Sequence, residues 1–282
     1  KGGKWFSLMD KVYALATLQA AWQQVRKNKG SHGVDRMSIE RFAVKQEQYL
    51  LELQQALKEG SYQPLPVKRV FIPKAGGGER PLGIPAVKDR IVQTALKMVI
   101  EPIFENEFVE HSYGFRPLRG CKLALRAVDG CLKAGQTWVV DADMKSYFDS
   151  IPHALLMVEV EKFISDGKVL KLIQTYLEQD ILDGMNRWTP SAGTPQGAVI
   201  SPLLANLYLH SLDKLMMQAG YTMVRYADDF VILCQSQEEA QNALALAQQW
   251  VDDKGLILHP DKTHLGNCLV KGQGFEFLGY RF

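Results

Sequence analysis

The sequence has 282 residues, 46% hydrophobic and 23% charged, with a formal net charge of +2. That is apolar material for one large core or two subdomains sharing one, with no run near the length of a membrane span. Four scattered cysteines (Cys121, Cys131, Cys234, Cys268) with no C-x-x-C pairing argue against zinc and a disulfide framework; they favour a reducing, cytoplasmic setting and leave open a metal held by oxygen.

Charge is unevenly spread. Residues 1–126 hold 21 Lys and Arg against 12 Asp and Glu, whereas residues 127–282 hold 12 against 19. A basic half beside an acidic half fits one surface for a polyanion and another for cations, although solvated surface charge gives the same count.

Apolar spacing predicts a helix over 8–27 (Leu8, Val12, Leu15, Leu18, Trp22, Val25), then the turn Gly30-Ser31-His32-Gly33 and a helix over 39–58. Alternation over 66–72, turned by Gly76-Gly77-Gly78 into residues 80–84, predicts a β-hairpin. Helices follow over 86–108 and 119–133. Residues 138–143 read as a short buried strand, 152–178 as two helices, 190–198 as a Gly/Pro loop and 199–218 as a long helix. Two apolar strands at 222–226 and 230–234 flank Ala227-Asp228-Asp229. A helix at 237–253, a loop at 259–264 and a strand near 274–279 complete an α+β fold with a mainly antiparallel sheet.

The acidic residues fall at strand ends. Asp143 closes one apolar strand, and Asp228 and Asp229 stand in a turn between two others. Neighbouring residues on a straight strand point to opposite faces, so adjacent aspartates converge only where the chain bends. With all three strands in one sheet, Asp143 and Asp228 become hard oxygen ligands for Mg²⁺ at its edge. Two such ions suffice for phosphoryl transfer. Turn preference alone also places aspartates in hairpins.

Tyr226-Ala227-Asp228-Asp229 resembles the metal-binding hairpin of reverse transcriptases, and Asp143-Met144-Lys145-Ser146-Tyr147-Phe148-Asp149 resembles their first catalytic-aspartate motif. Gly193-Thr194-Pro195-Gln196-Gly197 with Ser201-Pro202 is similar to the nucleotide-binding loop and helix. Gly255-Leu256 with His259-Pro260-Asp261-Lys262-Thr263 is similar to the lysine motif, and Phe277-Leu278-Gly279-Tyr280 to the primer grip. In the first half, Phe71-Ile72-Pro73-Lys74, Arg80-Pro81-Leu82-Gly83-Ile84-Pro85, Ser112-Tyr113-Gly114-Phe115-Arg116-Pro117, Trp5-Phe6-Ser7-Leu8 and Gly33-Val34-Asp35 resemble the group II intron branch of that family.

The resemblance implies a right-hand polymerase fold. It has a basic helical N-terminal extension over 1–60, helix-rich fingers with a β-hairpin over 61–140, inserted helices from 150–192, and a palm over 141–282. It implies an RNA-directed DNA polymerase and maturase of the bacterial cytoplasm, with two Mg²⁺ ions (Mn²⁺ able to substitute), RNA template, intron RNA, DNA primer and dNTPs as partners. The extension serves RNA contacts or a homodimer contact. A helical thumb follows the primer grip in family members.

By the same resemblance Asp143, Asp228 and the Met144 position hold metal, and Asp229 assists. Lys262 donates a proton to pyrophosphate. Lys74, Arg80, Met144, Phe148, Gln196 and Gly197 meet the nucleotide, with Phe148 under the sugar, where its ring excludes a 2′-hydroxyl. Leu278 and Gly279 meet the primer. Arg116, Arg119, Lys122 and Arg126 have spacing compatible with a basic helix face for template phosphates. Plain exposed basic turns, a core aromatic at Phe148, an ordinary loop at 193–197 and a solvated Lys262 are the competing readings. At the level of function the alternatives are a domesticated relative in phage defence or CRISPR spacer capture, and a non-catalytic RNA-binding splicing factor.

Overall fold

The computed structural model describes residues 3–73 and 77–282. The chain begins with α1 (Met9–Val12), α2 (Leu15–Asn28), α3 (Ile39–Val44), α4 (Gln46–Glu59), β1 (Val67–Pro73), β2 (Glu79–Ile84) and α5 (Val87–Glu105). It continues with α6 (Cys121–Lys133), β3 (Trp138–Asp143), α7 (Tyr147–Ser150), α8 (His153–Glu161), α9 (Gly167–Leu177), β4 (Ile181–Asp183) and β5 (Asn186–Trp188). It ends with α10 (Ser201–Gln218), β6 (Thr222–Tyr226), β7 (Asp229–Cys234), α11 (Gln237–Asp253), β8 (His264–Asn267), β9 (Glu276–Phe277) and β10 (Tyr280–Arg281). Among the described residues no helix is long and apolar enough to cross a membrane.

Two compact units emerge: Lys1–Asn106 with Pro152–Ser201, and Glu107–Ile151 with Pro202–Phe282. This division differs from boundaries at 60 and 140. Residues 107–140 join the acidic C-terminal half because the apolar stripe of α6, Ala124 and Val128, enters the core of its sheet.

In the first unit α2 lies along α5. Leu18, Ala21, Trp22 and Val25 form the buried stripe of one helix, and Ile91, Val92, Ala95, Leu96 and Ile100 that of the other. The helix expected over 8–27 is divided at Ala14, whose ψ of 131° is extended. Asp166 explains the separate first turn. One of its oxygens accepts from the Leu8 and Met9 amides at 2.7 and 2.9 Å, and the other from Lys168 and Val169 at 3.0 and 3.2 Å. One carboxylate thus caps α1 and α9 together, and although burial would raise its pKa, these four donors hold it below the ordinary value. The helix expected over 39–58 is likewise divided at Lys45.

The sheet of this unit runs β2-β1-β4-β5. Strand β1 pairs antiparallel with β2 (Ile72↔Arg80) and parallel with β4 (Val67↔Ile181). The β4–β5 hairpin was not expected: strands of three residues are too short to display a period of two.

The sheet of the second unit runs β6-β7-β3-β8 and is antiparallel throughout. Val139, Val224, Val231 and Leu233 face α6 and the buried Phe275 and Phe277. Alternation sends Val140, Ala142, Phe230 and Ile232 to the other face, and α11 packs over β3 and β7. Strand β8 begins at His264, the last residue of the segment 259–264 expected as loop, and runs on to Asn267. In place of one strand near 274–279, the chain makes the two-residue strands β9 and β10 around Leu278 and Gly279, with φ of 52° and 78°.

Candidate active site

Strand register in the second unit sets the carboxylates. Asp143, the last residue of β3, pairs with Asp229, the first of β7, and Asp229 pairs in turn with Tyr226 at the end of β6. Ala227 and Asp228 are therefore a two-residue turn at the sheet edge. Ala227 takes a left-handed φ of 60°. Gly114 lies so close that a Cβ there would sit 2.3 Å from the Ala227 amide nitrogen, so only glycine fits beneath this turn.

Asp141 belongs to the same face as Asp143, two residues earlier, and lies opposite His264 on β8. Sequence reasoning passed over it, although i, i+2 alternation was visible. Burial pushes the Asp229 carboxyl from 3.8 up to about 7, and the charges of Asp141, Asp143 and Asp228 add to the rise while Lys262 opposes it. Burial likewise lifts Asp141 to about 6, with His264 opposing and Asp143 and Glu276 adding.

Lys262 Nζ lies 2.5 Å from Asp143 Oδ2. That hydrogen bond raises the lysine pKa, burial opposes it, and the charges of Asp143, Asp228 and Asp229 add to the rise, so the ammonium keeps its proton at neutral pH. Met144 forms an isolated antiparallel bridge with Leu258, closed by Lys145 N–H to the Ile257 carbonyl and His259 N–H to the Asp143 carbonyl, both 2.8 Å. In that pattern the N–H and C=O of Met144 turn away from Leu258, toward the side of β3 that β7 occupies.

Among the described residues no three His, Cys, Asp or Glu side chains form a ready metal cage. Mg²⁺ is usually held by one or two carboxylates together with substrate phosphates. Asp143, Asp228 and the Met144 carbonyl offer that donor chemistry. The crowding of negative charge that helps lift Asp229 is what a bound cation would relieve.

Phe148, half-buried, meets Phe115 edge-on at 6.4 Å and Tyr147 at 5.6 Å, and Phe115 lies 6.4 Å from Tyr226. Phe115 is a second neighbour that sequence reasoning did not single out. The basic residues correct an expectation. Arg116 is only 7% exposed and donates to the Val109 and Ser112 carbonyls at 2.7 and 2.8 Å. Gly120 is the N-cap of α6, so Arg116 and Arg119 precede the helix and only Lys122 and Arg126 lie on it. Arg119 stacks on Tyr113 and donates to the Glu110 carbonyl, whereas Lys122 is exposed. Leu278 and Gly279 form the β9–β10 turn.

In the first unit Arg80 Nε donates to Gln196 Oε1 at 2.9 Å, and Gly83 N–H donates to the Gln196 carbonyl at 2.6 Å. Gly197, at φ 99°, stands where a Cβ would lie 2.4 Å from the Gly83 carbonyl oxygen. Its freedom is thus spent on strand β2, a contact the sequence reading had reserved for the nucleotide. Gln93 Oε1 accepts from Val199 and Ile200 N–H at 2.8 and 3.3 Å, and His153 Nε2 lies 2.7 Å from the Gly193 carbonyl, so the loop is braced at both ends. Lys74 lies outside the described residues.

Residues 72–282 match the family model described as reverse transcriptase (RNA-dependent DNA polymerase). The chain is 36% identical over 296 residues to protein YkfC of Escherichia coli K12, covering 90% of this chain and 77% of that protein. It is 38% identical over 201 residues to the group II intron-encoded protein LtrA of Lactococcus lactis, covering 70% of this chain and 33% of LtrA. It thus spans a third of the length of that relative. A chain of a partial Cas6-RT-Cas1–Cas2 complex superposes with a TM-score of 0.51 at 24% identity, over 88% of this chain and 41% of that one, a likeness of fold alone.

Proposed function

This chain belongs to the reverse transcriptase (RNA-dependent DNA polymerase) family, and from that premise we propose that it copies RNA into DNA with the carboxylate edge of its second unit as the catalytic centre. The observation that carries the assignment is the register that sets Asp143 opposite Asp229 with Asp228 in the adjoining turn. Asp143, Asp228 and the Met144 carbonyl hold two Mg²⁺ ions, with Asp229 assisting and Mn²⁺ able to substitute. Cations held there would supply the positive charge needed to activate a primer 3′-hydroxyl and stabilise a leaving pyrophosphate.

The remaining residues bind, exclude and move protons. Lys262, protonated beside Asp143, gives its proton to the pyrophosphate oxygen as the bond to the α-phosphorus breaks. Phe148, backed by Phe115 and Tyr147, closes the space a 2′-hydroxyl would need and selects dNTPs. Arg80 and Gln196, with Lys74, hold the triphosphate. Gly197 supports them by admitting β2 close to the loop. Leu278 and Gly279 hold the primer, and Arg119, Lys122 and Arg126 face template phosphates.

The likeness to a group II intron-encoded protein supports a bacterial, cytoplasmic enzyme that also binds intron RNA as a maturase. The surplus of Lys and Arg over Asp and Glu in residues 1–60, 10 against 6, contributes to that RNA contact. A non-catalytic splicing factor would leave the carboxylate edge and its Lys262 partner without a use.

The test is extension of a DNA primer on an RNA template with dNTPs and Mg²⁺, comparing this chain with its Asp228→Asn, Asp229→Asn variant. Expected is metal-dependent extension by the parent and a loss of at least about 10³-fold in the variant, the scale of removing groups that stabilise transition-state charge. Extension persisting in the variant overturns the site. Extension absent from the parent with either Mg²⁺ or Mn²⁺ overturns the polymerase reading.

A further inference from the structure

Arg225 stands three residues before Asp228 on β6 and is 0% exposed. Taking a guanidinium out of water costs several kcal/mol unless its donors are matched, and all five of its N–H groups are matched within this unit. Nε and Nη2 meet the two oxygens of Asp213 on α10 at 2.7 and 2.5 Å. Nη1 donates to Asn206 Oδ1 at 2.9 Å and to the Ala227 carbonyl at 2.8 Å, and Nη2 donates to Ser112 Oγ at 2.8 Å.

One of those acceptors has a different standing. The Ala227 carbonyl belongs to the turn that carries Asp228, and Ala227 is a non-glycine residue at φ 60°. That conformation is strained for a residue with a Cβ and persists only where its surroundings over-determine it.

The surroundings do so. Asn206, which accepts from Arg225, also donates from Nδ2 to the Gly114 carbonyl at 2.7 Å, and Gly114 is the residue packed against the Ala227 amide. The Arg225 backbone is fixed as well: its N–H donates to the His111 carbonyl and its carbonyl accepts from Tyr113 N–H, both at 2.9 Å. Helix α10, residues 111–114 and the turn therefore close a ring around one guanidinium. Stability alone does not call for such a group, because well-packed apolar side chains often replace a buried ion pair without loss. An apolar side chain cannot hold a carbonyl.

We propose that Arg225 is a positioning residue for catalysis, which locks the Ala227–Asp228 turn from beneath and so fixes where the Asp228 carboxylate stands. The proposal rests on the polymerase reading above. It also assigns Asp213, Asn206 and Ser112 to orienting Arg225, with no contact to substrate.

Two variants test it. Arg225→Lys keeps a buried charge for Asp213 but lacks the fork that reaches Ala227. Arg225→Met with Asp213→Leu removes the pair without leaving a lone charge. The readouts are hydrogen exchange of the 226–229 amides, thermal midpoint, the Mg²⁺ concentration for half-maximal extension, and kcat and dNTP KM. Expected are amides at 226–229 exchanging about tenfold faster or more while those of β3 and α10 keep their protection. Extension should fall about 10–100-fold in kcat, the scale of a small misplacement, with KM little changed and the Mg²⁺ requirement raised.

Unchanged exchange and kcat in either folded variant overturn the proposal. So does faster exchange spread evenly through the second unit, the signature of a purely structural role. If the parent itself shows no extension, the polymerase reading fails, and the exchange measurement still decides whether Arg225 locks the turn.

Discussion

Asp228 precedes the start of β7 and Arg80 lies near the start of β2, and the surroundings of these two charged groups differ. The turn of Asp228 is clamped from below: Arg225 holds its carbonyl, Gly114 fills the space under its amide, and α10 anchors both. Arg80 is exposed and its side chain rests on Gln196 through one amide oxygen, although the backbone beneath is fixed by Gly83 N–H on the Gln196 carbonyl. An exposed hydrogen bond is nearly neutral in net free energy, because water replaces it, so Arg80 can exchange Gln196 for another anion acceptor. A ligand for a catalytic cation gains from being placed before the reaction starts. In the role proposed for Arg80, a group that binds and releases a triphosphate at every cycle would gain from a partner it can leave.

The comparison can be broken at several points. Phe148 belongs to the clamped side, wedged by Phe115 and Tyr147. Phe148→Ala should lower discrimination against ribonucleotides by about 10–100-fold, the range a lost steric contact gives, read as the ratio of kcat/KM for dNTP and rNTP. Unchanged discrimination would remove Phe148 from the nucleotide site. Arg80 belongs to the exchangeable side. Arg80→Ala should raise dNTP KM about tenfold, the size of one charge-assisted contact of about 1.4 kcal/mol, and leave the thermal midpoint unmoved. A fall in midpoint instead would make Arg80 a structural brace like Arg225.

The smallest effect concerns protons. Because the folded pKa of Asp229, about 7, lies above its ordinary 3.8, the native state binds that proton more tightly than the unfolded chain. The resulting stability is fully present below the unfolded pKa and is lost as pH rises through 7. With chelator present, the thermal midpoint of the parent should fall between pH 5 and 7.5 by about 2–4 °C more than that of Asp229→Asn, a shift worth about 1 kcal/mol. Mg²⁺ should restore it at pH 7.5. Parallel curves for the two proteins would show that the crowded charge at this edge does not burden the fold.

Much of the molecule was legible in the sequence where a local rule decides it. The apolar stripes of α2, α5 and α11 repeat with helical spacing, β6 and β7 flank the turn that carries Asp228, and the strands expected at 66–72 and 80–84 pair antiparallel, although Gly76 of the turn expected between them lies outside the described residues. Misses came where local signal is short or ambiguous. Strands β4 and β5 hold three residues each, and the primer-grip segment reads as one strand until Leu278 and Gly279 turn left-handed. Arg116 looked like a phosphate contact, since nothing in its neighbours' identities shows that the Val109 and Ser112 carbonyls would take its guanidinium inside the protein.

By itself the sequence determined most of the longer helices and paired strands, the family and the candidate carboxylates, because hydrophobic period, turn residues and motif order are properties of neighbours along the chain. The tertiary structure alone decided that Asp141 lies opposite His264, that Gly197 yields to Gly83, and that Arg225 spends all five donors beneath the turn of Asp228. Those facts join residues as far apart along the chain as positions 141 and 264, and a hydrogen bond or a shifted pKa depends on distance in space, which only the folded chain sets.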